Sequence, residues 1–242
     1  MGKLMSLLIA VKSCHRDRRM GLHDALRSTW VRDLPPNVTT RFFMGNNPDT
    51  REGTNLPKDE IALDVGDSYA DLPFKTREIT KWMVGRIFDY VFFCDNDTIV
   101  KSAKELLTIP YWKADYTGYF GRNEDNLAQQ FFYKDHTGDY PECWPWASGG
   151  YGYFLSREAA GHVADTYPKV WAEDMYVGQV IGPLAAQGWL RSQMVNMNAY
   201  AWHFRKSGLY PTFTPALMHR IYAEGGPTNI YKEAVDYNAR TK

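Results

Sequence analysis

Two carboxylates, Asp95 and Asp97, stand one residue apart at the end of an apolar run, an arrangement suited to holding a cation. Residues 90–94 (YVFFC) are short, aromatic and β-branched, which predicts a strand buried on both faces. Two buried acids are costly unless a positive group meets them, and ligands of open α/β sheets gather at the carboxyl ends of strands. A divalent cation carrying a phosphate-bearing ligand would neutralise both acids. The alternative is a strand followed by an Asx-rich turn, because Asp and Asn favour turns by themselves.

The elements that would position these acids alternate between strands and helices. In the first half of the chain, strands are predicted at residues 4–12, 39–44 and 60–65, and helices at 16–30 and 72–88. In the second half, strands are predicted at 112–120 and 130–133, and helices at 157–165, capped by Ser156, and 173–180; residues 147–156 hold a glycine-rich stretch followed by the apolar residues 153–155. The alternation predicts an α/β fold whose central sheet is mostly parallel and is flanked by helices.

Composition limits the classes of protein. A chain of 242 residues suits one large α/β domain or two small ones. Lys plus Arg and Asp plus Glu both total 28, so the neutral chain offers no bulk attraction to nucleic acid or acidic membranes. The 3 cysteines (Cys14, Cys94 and Cys143) lack metal-type spacing, which predicts buried free thiols and favours a reducing compartment.

No membrane segment is predicted in this chain. The apolar run at residues 4–11 is too short to span a bilayer, and no cleavage site follows it. We expect a cytoplasmic protein if residue 1 is the natural start. Otherwise we expect the lumenal catalytic domain of a Golgi-type membrane enzyme.

Five short motifs follow one another along the chain. They are VKSC with the downstream Arg27-Ser28-Thr29-Trp30, Asp67-Ser68-Tyr69 with Leu72 and Lys75-Thr76, Asp95-Asn96-Asp97, Ser148-Gly149-Gly150-Tyr151-Gly152 through Leu155-Ser156, and Glu173-Asp174-Met175-Tyr176-Val177-Gly178. In this order they resemble the β-1,3-glycosyltransferase family, which includes galactosyl- and N-acetylglucosaminyl-transferases and the Fringe proteins. The resemblance covers about residues 4 to 188.

The resemblance implies an α/β fold of the GT-A type, with a single Rossmann-like catalytic domain over residues 1–242. Its nucleotide-binding half would be about 1–100 and its acceptor-binding half about 101–242. It further implies a UDP-sugar donor, a saccharide acceptor, dependence on Mn²⁺ (or Mg²⁺) and inversion at the anomeric carbon. Such a cation, held by carboxylates, would stabilise the diphosphate leaving group.

The family resemblance assigns the candidate metal site. Asp97 matches the metal-binding acid, and Asp95 would contact ribose, sugar or a coordinated water. Asn96 stands where the family usually has Asp, so sugar contacts or metal affinity would differ from the family pattern. A nitrogen ligand often completes a manganese site, and His203 is the first candidate, with His219 second. The alternative for either histidine is an ordinary, partly buried residue.

Four further residues would bind the donor. Gly149 and Gly150 permit close approach of the donor to the main chain, although a plain tight turn would use the same glycines. Arg27 and Lys75 match family positions near the nucleotide. Either cation would meet phosphate or hold a neighbouring carboxylate.

The acceptor side needs a base that takes the proton of the attacking hydroxyl. Asp174 matches the family's base, and Glu173 is the reserve; the alternative is that both acids only cap a helix. Trp144 and Trp146 would form a stacking wall for the donor or acceptor sugar, or else pack in the core.

Three functions remain open at this point. The first is a metal-dependent inverting glycosyltransferase that moves a sugar from a UDP-sugar to an acceptor hydroxyl. The second is a cytosolic or virus-encoded glycosyltransferase acting on hydroxylated bases of DNA, which would need a basic strip that the net charge does not suggest. The third is a catalytically silent nucleotide-sugar-binding module, against which the presence of both Asp97 and Asp174 argues.

Overall fold

A computed structural model describes residues 5–46, 56–120, 144–170, 172–203 and 214–226. The strands are β1 Leu7–Lys12, β2 Val38–Gly45, β3 Glu60–Leu63, β4 Tyr90–Asp95, β5 Thr98–Val100, β6 Tyr116–Gly118, β7 Tyr153–Ser156, β8 Ser192–Met194 and β9 Ala201–His203. The α-helices are α1 His15–Arg19, α2 Leu22–Ser28, α3 Leu72–Val84, α4 Ala103–Leu106, α5 Arg157–Asp165, α6 Glu173–Ala186 and α7 Pro215–Ala223. None of the helices in these ranges is both long enough and apolar enough to cross a bilayer.

Seven strands form the central sheet, in the order β3-β2-β1-β4-β7-β6-β8. The four strands from β3 to β4 run parallel, whereas β7 runs antiparallel to both of its neighbours, β4 and β6. Strands β6 and β8 pair in parallel, and β5 pairs with β9 in a separate antiparallel sheet. The predicted α/β fold with a mostly parallel central sheet is confirmed.

The central sheet is buried because helices cover both of its faces. Along β1, side chains point to opposite faces in turn, so that Leu7, Ile9 and Val11 enter one core and Leu8 and Ala10 enter the other. Helices α2 and α7 pack on the first face, and α3, α5 and α6 on the second. This two-sided burial explains why β1 and β4 are continuous apolar runs, and why polar residues begin where these strands end.

The structure corrects two predicted elements. The single helix at 16–30 is wrong, because Gly21 adopts a left-handed conformation (φ 83°) that separates α1 from α2. A strand throughout 112–120 is also wrong, since Tyr111–Lys113 is a 3₁₀ helix and pairing begins at Tyr116. By contrast, α5 is confirmed, with the Ala159 N–H donating to the Ser156 hydroxyl at 3.2 Å.

Other sequence-based predictions have mixed outcomes. Cys94 is buried and Cys14 half-buried, and both are free thiols. The strand predicted at 130–133 and Cys143 lie outside the described residues. The helix predicted at 72–88 ends at Val84, where Gly85 follows.

Candidate functional site

A cavity of about 770 Å³ lies at the carboxyl ends of β1 and β4. Its wall comes from the segment that follows β1, the segment that leads into α3, and the turn at residues 95–97, together with Asn46. Parallel strands place their carboxyl ends at one edge of the sheet, which is where open α/β folds bind ligands.

The turn of residues 95–97 presents two carboxylates to this cavity. Asp95 ends β4 with its side chain 28% exposed, whereas Asp97 is buried. The Thr98 hydroxyl accepts the Asp95 N–H at 3.2 Å and donates to the Gly150 carbonyl at 2.9 Å. The predicted metal-binding acids therefore share one wall of the cavity, and the turn that carries them is held against the glycine motif.

Asn96, the middle residue of this turn, is buried and donates two hydrogen bonds. Its amide nitrogen lies 2.9 Å from the Ser13 hydroxyl and 2.8 Å from an Asp17 carboxylate oxygen. A carboxylate in this position has no proton to give to Asp17. The contact with Asp17 is a physical reason for Asn where the family usually has Asp.

Lys12, the last residue of β1, lies between two carboxylates. Its ammonium nitrogen is 3.2 Å from Asp95 Oδ1 and 2.7 Å from Glu173 Oε2, and the side chain is buried. Burial opposes the charge, but the negative charges of Asp95 and Glu173 raise the pKa of Lys12 above its ordinary value. Sequence reasoning assigned Lys12 no role, although a lysine ending a wholly apolar strand is a signal that an acid must meet it.

Glu173 and Asp174 begin α6, and their surroundings differ. Glu173 is buried and accepts from Lys12, from the Thr76 hydroxyl at 3.2 Å and from the Tyr153 hydroxyl. Burial raises the pKa of Glu173 above its usual range, and the Lys12 charge opposes that rise. Among the described residues, the half-buried Asp174 accepts hydrogen bonds from the backbone N–H groups of Gly149 and Met175, which favours it over Glu173 as the group that meets an external ligand.

The glycine motif packs directly on these two acids. The Gly149 N–H lies 3.4 Å from Asp174 Oδ2, and a Cβ on Gly149 would fall 2.7 Å from Glu173 Oε2. A larger residue at position 149 would therefore displace the Glu173 carboxylate, whereas Lys12 Nζ, at 3.4 Å from the same Cβ, would stay in ordinary contact. Asp174 is not part of the wall of the 770 Å³ cavity. It follows Glu173, which pairs with Lys12, and Lys12 is part of that wall.

Tyr69 extends from the cavity wall toward solvent. It begins the 3₁₀ helix Tyr69–Asp71, and 68% of the residue is exposed. The pKa of Tyr69 is raised, first by partial desolvation and then by the negative charges of Asp174 and Asp95. Its side chain therefore lies within electrostatic range of both the cavity acids and the start of α6.

The two cations predicted to bind the nucleotide have different positions. Lys75 lies in the cavity wall, where its ammonium donates to the Ser13 carbonyl at 2.6 Å and to Asp67 at 2.8 Å. Arg27 is not part of that wall; its guanidinium contacts Asp59 at 2.8 and 3.0 Å and Glu60 at 2.7 Å. Both cations thus hold neighbouring carboxylates, which is the alternative that the sequence left open for each, but of the two only Lys75 lies in the cavity wall.

The two tryptophans that precede the glycine motif pack on α6. Cβ atoms added at Gly178 and Gly182 would fall 2.6 Å from Trp146 Cβ and 2.4 Å from Trp144 Cβ. Trp146 is buried against Met175, which matches core packing rather than a stacking wall.

The two candidate histidines lie in different places. His203 is on β9, where its backbone pairs with Thr98, the residue after Asp97. His219 lies on α7, 3.4 Å from the Ser28 hydroxyl and outside the cavity wall. Within the described ranges, no group of three or more His, Cys, Asp or Glu side chains is placed to hold a metal ion.

Comparisons with known proteins give one family. The model of the family described as "Galactosyltransferase" matches residues 22–187. No curated protein matches the chain.

The solved structures that are similar to the chain include two sugar-transferring proteins. One is described as a nucleotide-diphospho-sugar transferase from Desulfovibrio desulfuricans G20, with 8% identity, a TM-score of 0.46, and coverage of 79% of this chain and 80% of that one. The other is the galactosyltransferase LgtC in complex with donor and acceptor sugar analogues, with 12% identity, a TM-score of 0.42, and coverage of 79% and 73%.

Proposed function

Because the chain belongs to the galactosyltransferase family, we propose that it transfers a sugar from a UDP-sugar to a hydroxyl of a saccharide acceptor, with inversion at the anomeric carbon. The family match makes the chain a glycosyltransferase; the GT-A type of its fold, the donor, the acceptor and the stereochemistry are the proposal. The observation that carries it is the cavity at the ends of β1 and β4, which has Asp95 and Asp97 on one side and Lys75 on another.

The proposal includes a divalent cation, Mn²⁺ or Mg²⁺. Such ions are often held by one or two carboxylates together with substrate phosphates and water, and the turn of residues 95–97 brings two carboxylates of the cavity wall, Asp95 and Asp97, close together in sequence. Asp97 is the principal proposed ligand because Asp95 already meets the charge of Lys12. We further propose His203, whose backbone pairs with Thr98, as the nitrogen ligand, and when bound the ion would stabilise the diphosphate leaving group.

Donor binding is proposed to use the residues that border the cavity. Lys75 would meet the diphosphate, and Asp95 and Asn96 would lie beside the nucleotide or sugar. Gly149 and Gly150 are buried and are not part of the cavity wall, and Gly149 lets the main chain pack against Glu173; their contact with the donor is proposed from the family resemblance alone. The contacts of Arg27 with Asp59 and Glu60 remove it from this set.

Asp174 is the proposed base. The acceptor hydroxyl would give its proton to an Asp174 carboxylate oxygen while the hydroxyl oxygen bonds to the anomeric carbon on the face opposite the departing diphosphate. Glu173 is held by Lys12, Thr76 and Tyr153, so an acceptor does not reach it without disrupting those bonds.

The two other functions have less support. Transfer to a DNA base gains none from the family match. A silent binding module would not need both a cavity acid such as Asp97 and an acid such as Asp174 beside the glycine motif.

A screen of UDP release tests the proposal. Several UDP-sugars are incubated with Mn²⁺, with Mg²⁺ and with chelator, in the presence of simple saccharides or hydroxymethylated DNA. We expect release with one UDP-sugar that requires the cation and increases with a saccharide. Increase with DNA alone would favour the base-modifying alternative, and tight UDP binding without release from any donor would favour the silent module.

A further inference from the structure

The ammonium of Lys12 connects two parts of the site that belong to different elements. Asp95, at 3.2 Å, ends β4 in the cavity wall, whereas Glu173, at 2.7 Å, begins α6 next to Asp174. The ring of Tyr153 lies 5.8 Å from the same nitrogen. One buried cation therefore contacts the donor side and the start of the proposed base helix at the same time.

The other donors to Glu173 do not make this connection. The Thr76 and Tyr153 hydroxyls bond to Oε1, while Lys12 bonds to Oε2 and also contacts Asp95. Loss of one hydroxyl leaves Glu173 held by the others. Loss of the ammonium leaves the partly exposed Asp95 and the buried Glu173 as like charges without the cation that lay between them, and such groups separate or take up protons.

We propose that Lys12 is a positioning residue for sugar transfer: it holds Glu173, and with it the first turn of α6 and Asp174, at a set place relative to the donor end of β4. Glu173 is the anchor of that turn rather than a base. The inference rests on the proposed function, in which the donor lies by Asp95 and Asp174 takes the proton. A small displacement of a reacting group lowers kcat far more than it lowers binding.

The test compares four variants of the full chain by steady-state kinetics and by UDP binding. Lys12→Met should lower kcat by about a hundredfold while the Kd for UDP changes much less. Glu173→Gln, which keeps its volume and can still meet the Tyr153 hydroxyl, should lower kcat by a similar factor. Because the two residues act as one unit, the double variant should be no slower than the slower single variant.

Tyr153→Phe is the matched control. It keeps the ring and removes one hydrogen bond to Glu173, but it leaves Lys12 between the two acids. We expect kcat to fall by no more than about threefold. An equal fall of kcat in Tyr153→Phe and Lys12→Met would mean that losing any one hydrogen bond to Glu173 is enough to slow transfer. The proposed link from Lys12 to Asp95 would then be overturned.

The outcomes also separate this inference from the proposed function. If the wild-type chain turns over a UDP-sugar but Lys12→Met or a folded Glu173→Gln keeps a normal kcat, the positioning role is wrong and the function stands. Multiplying effects in the double variant would likewise overturn the joint role. If Lys12→Met does not fold, the kcat values of Glu173→Gln and Tyr153→Phe still test the positioning role. A wild-type chain without turnover overturns both the positioning role and the proposed function.

Discussion

The side-chain amide of Asn96 donates to the carboxylate of Asp17 across 2.8 Å, and both residues are buried beside the cavity. The same amide nitrogen also lies 2.9 Å from the Ser13 hydroxyl. The amide thus ties the turn after β4 to α1 through Asp17, and this bond requires a donor at position 96.

Introducing Asp at position 96, where the family usually has it, should therefore destabilise this protein. Asn96→Asp places a buried carboxylate against Asp17 without the bridging proton, and we expect a loss of about 3 kcal/mol in the free energy of unfolding. Denaturant unfolding measures this loss. The double variant Asn96→Asp with Asp17→Asn exchanges donor and acceptor and should recover much of the stability; equal stability of Asn96→Asp and wild type would contradict the prediction.

Asp97→Ala tests the proposed metal ligand. Asp97 is a buried acid in the cavity wall, and we expect the variant to lose most of the increase in donor binding that Mn²⁺ produces. Calorimetry of UDP binding with Mn²⁺ and with chelator measures the effect. Asp71→Ala is the control, because Asp71 also lies in the cavity wall but caps the Ser68 turn. A metal response that survives in Asp97→Ala would exclude this residue as the ligand.

Asp174→Asn tests the proposed base. The change is isosteric and keeps an oxygen for the Gly149 N–H, but it removes the proton acceptor. We expect kcat to fall by about a thousandfold with little change in the Kd for UDP. A variant with normal turnover would show that another group takes the proton.

The sequence predicted the general location of this site better than its contacts. Because ligands of open α/β sheets gather at the carboxyl ends of strands, a site was predicted at the acids after β4, and residues of that turn and of the segment after β1 line one cavity. The Lys12–Glu173 contact joins positions 161 residues apart, and no local pattern encodes it. The role of Arg27 was left open for the same reason, because its partners Asp59 and Glu60 lie where β3 begins, far from Arg27 in sequence.

Tyr69 should contribute to acceptor binding. Tyr69 lies in the cavity wall with an exposed ring, and partial desolvation and the charges of Asp174 and Asp95 raise its pKa, so we expect a sugar bound near the base to pack on this ring. Tyr69→Ala should raise the KM for the saccharide acceptor about tenfold and leave the Kd for UDP nearly unchanged. Tyr69→Phe keeps the ring and should stay close to wild type. A larger effect on UDP than on the acceptor would place Tyr69 on the donor side instead.

Glu60 lies at the centre of a charged cluster away from the cavity. It is buried and accepts from Arg18 at 2.5 Å, from Arg27 at 2.7 Å and from the His23 ring at 2.9 Å. Burial by itself raises the pKa of Glu60, but the hydrogen bonds from His23, Arg27 and Arg18 lower it from 4.5 to about 2. The ionised form is therefore favoured in the folded state.

The stability of the fold should depend on this carboxylate at low pH. Since the folded pKa lies below the unfolded value, the contribution is fully present above about pH 4.5 and is lost as pH falls through about 2. Glu60→Gln should cost about 2–3 kcal/mol at neutral pH and flatten the pH dependence of unfolding over that window. Glu78→Gln, which breaks the partly exposed pairs with Lys81 and Arg77, should change stability by less than about 1 kcal/mol. Parallel stability curves for Glu60→Gln and wild type between pH 2 and 5 would contradict the prediction.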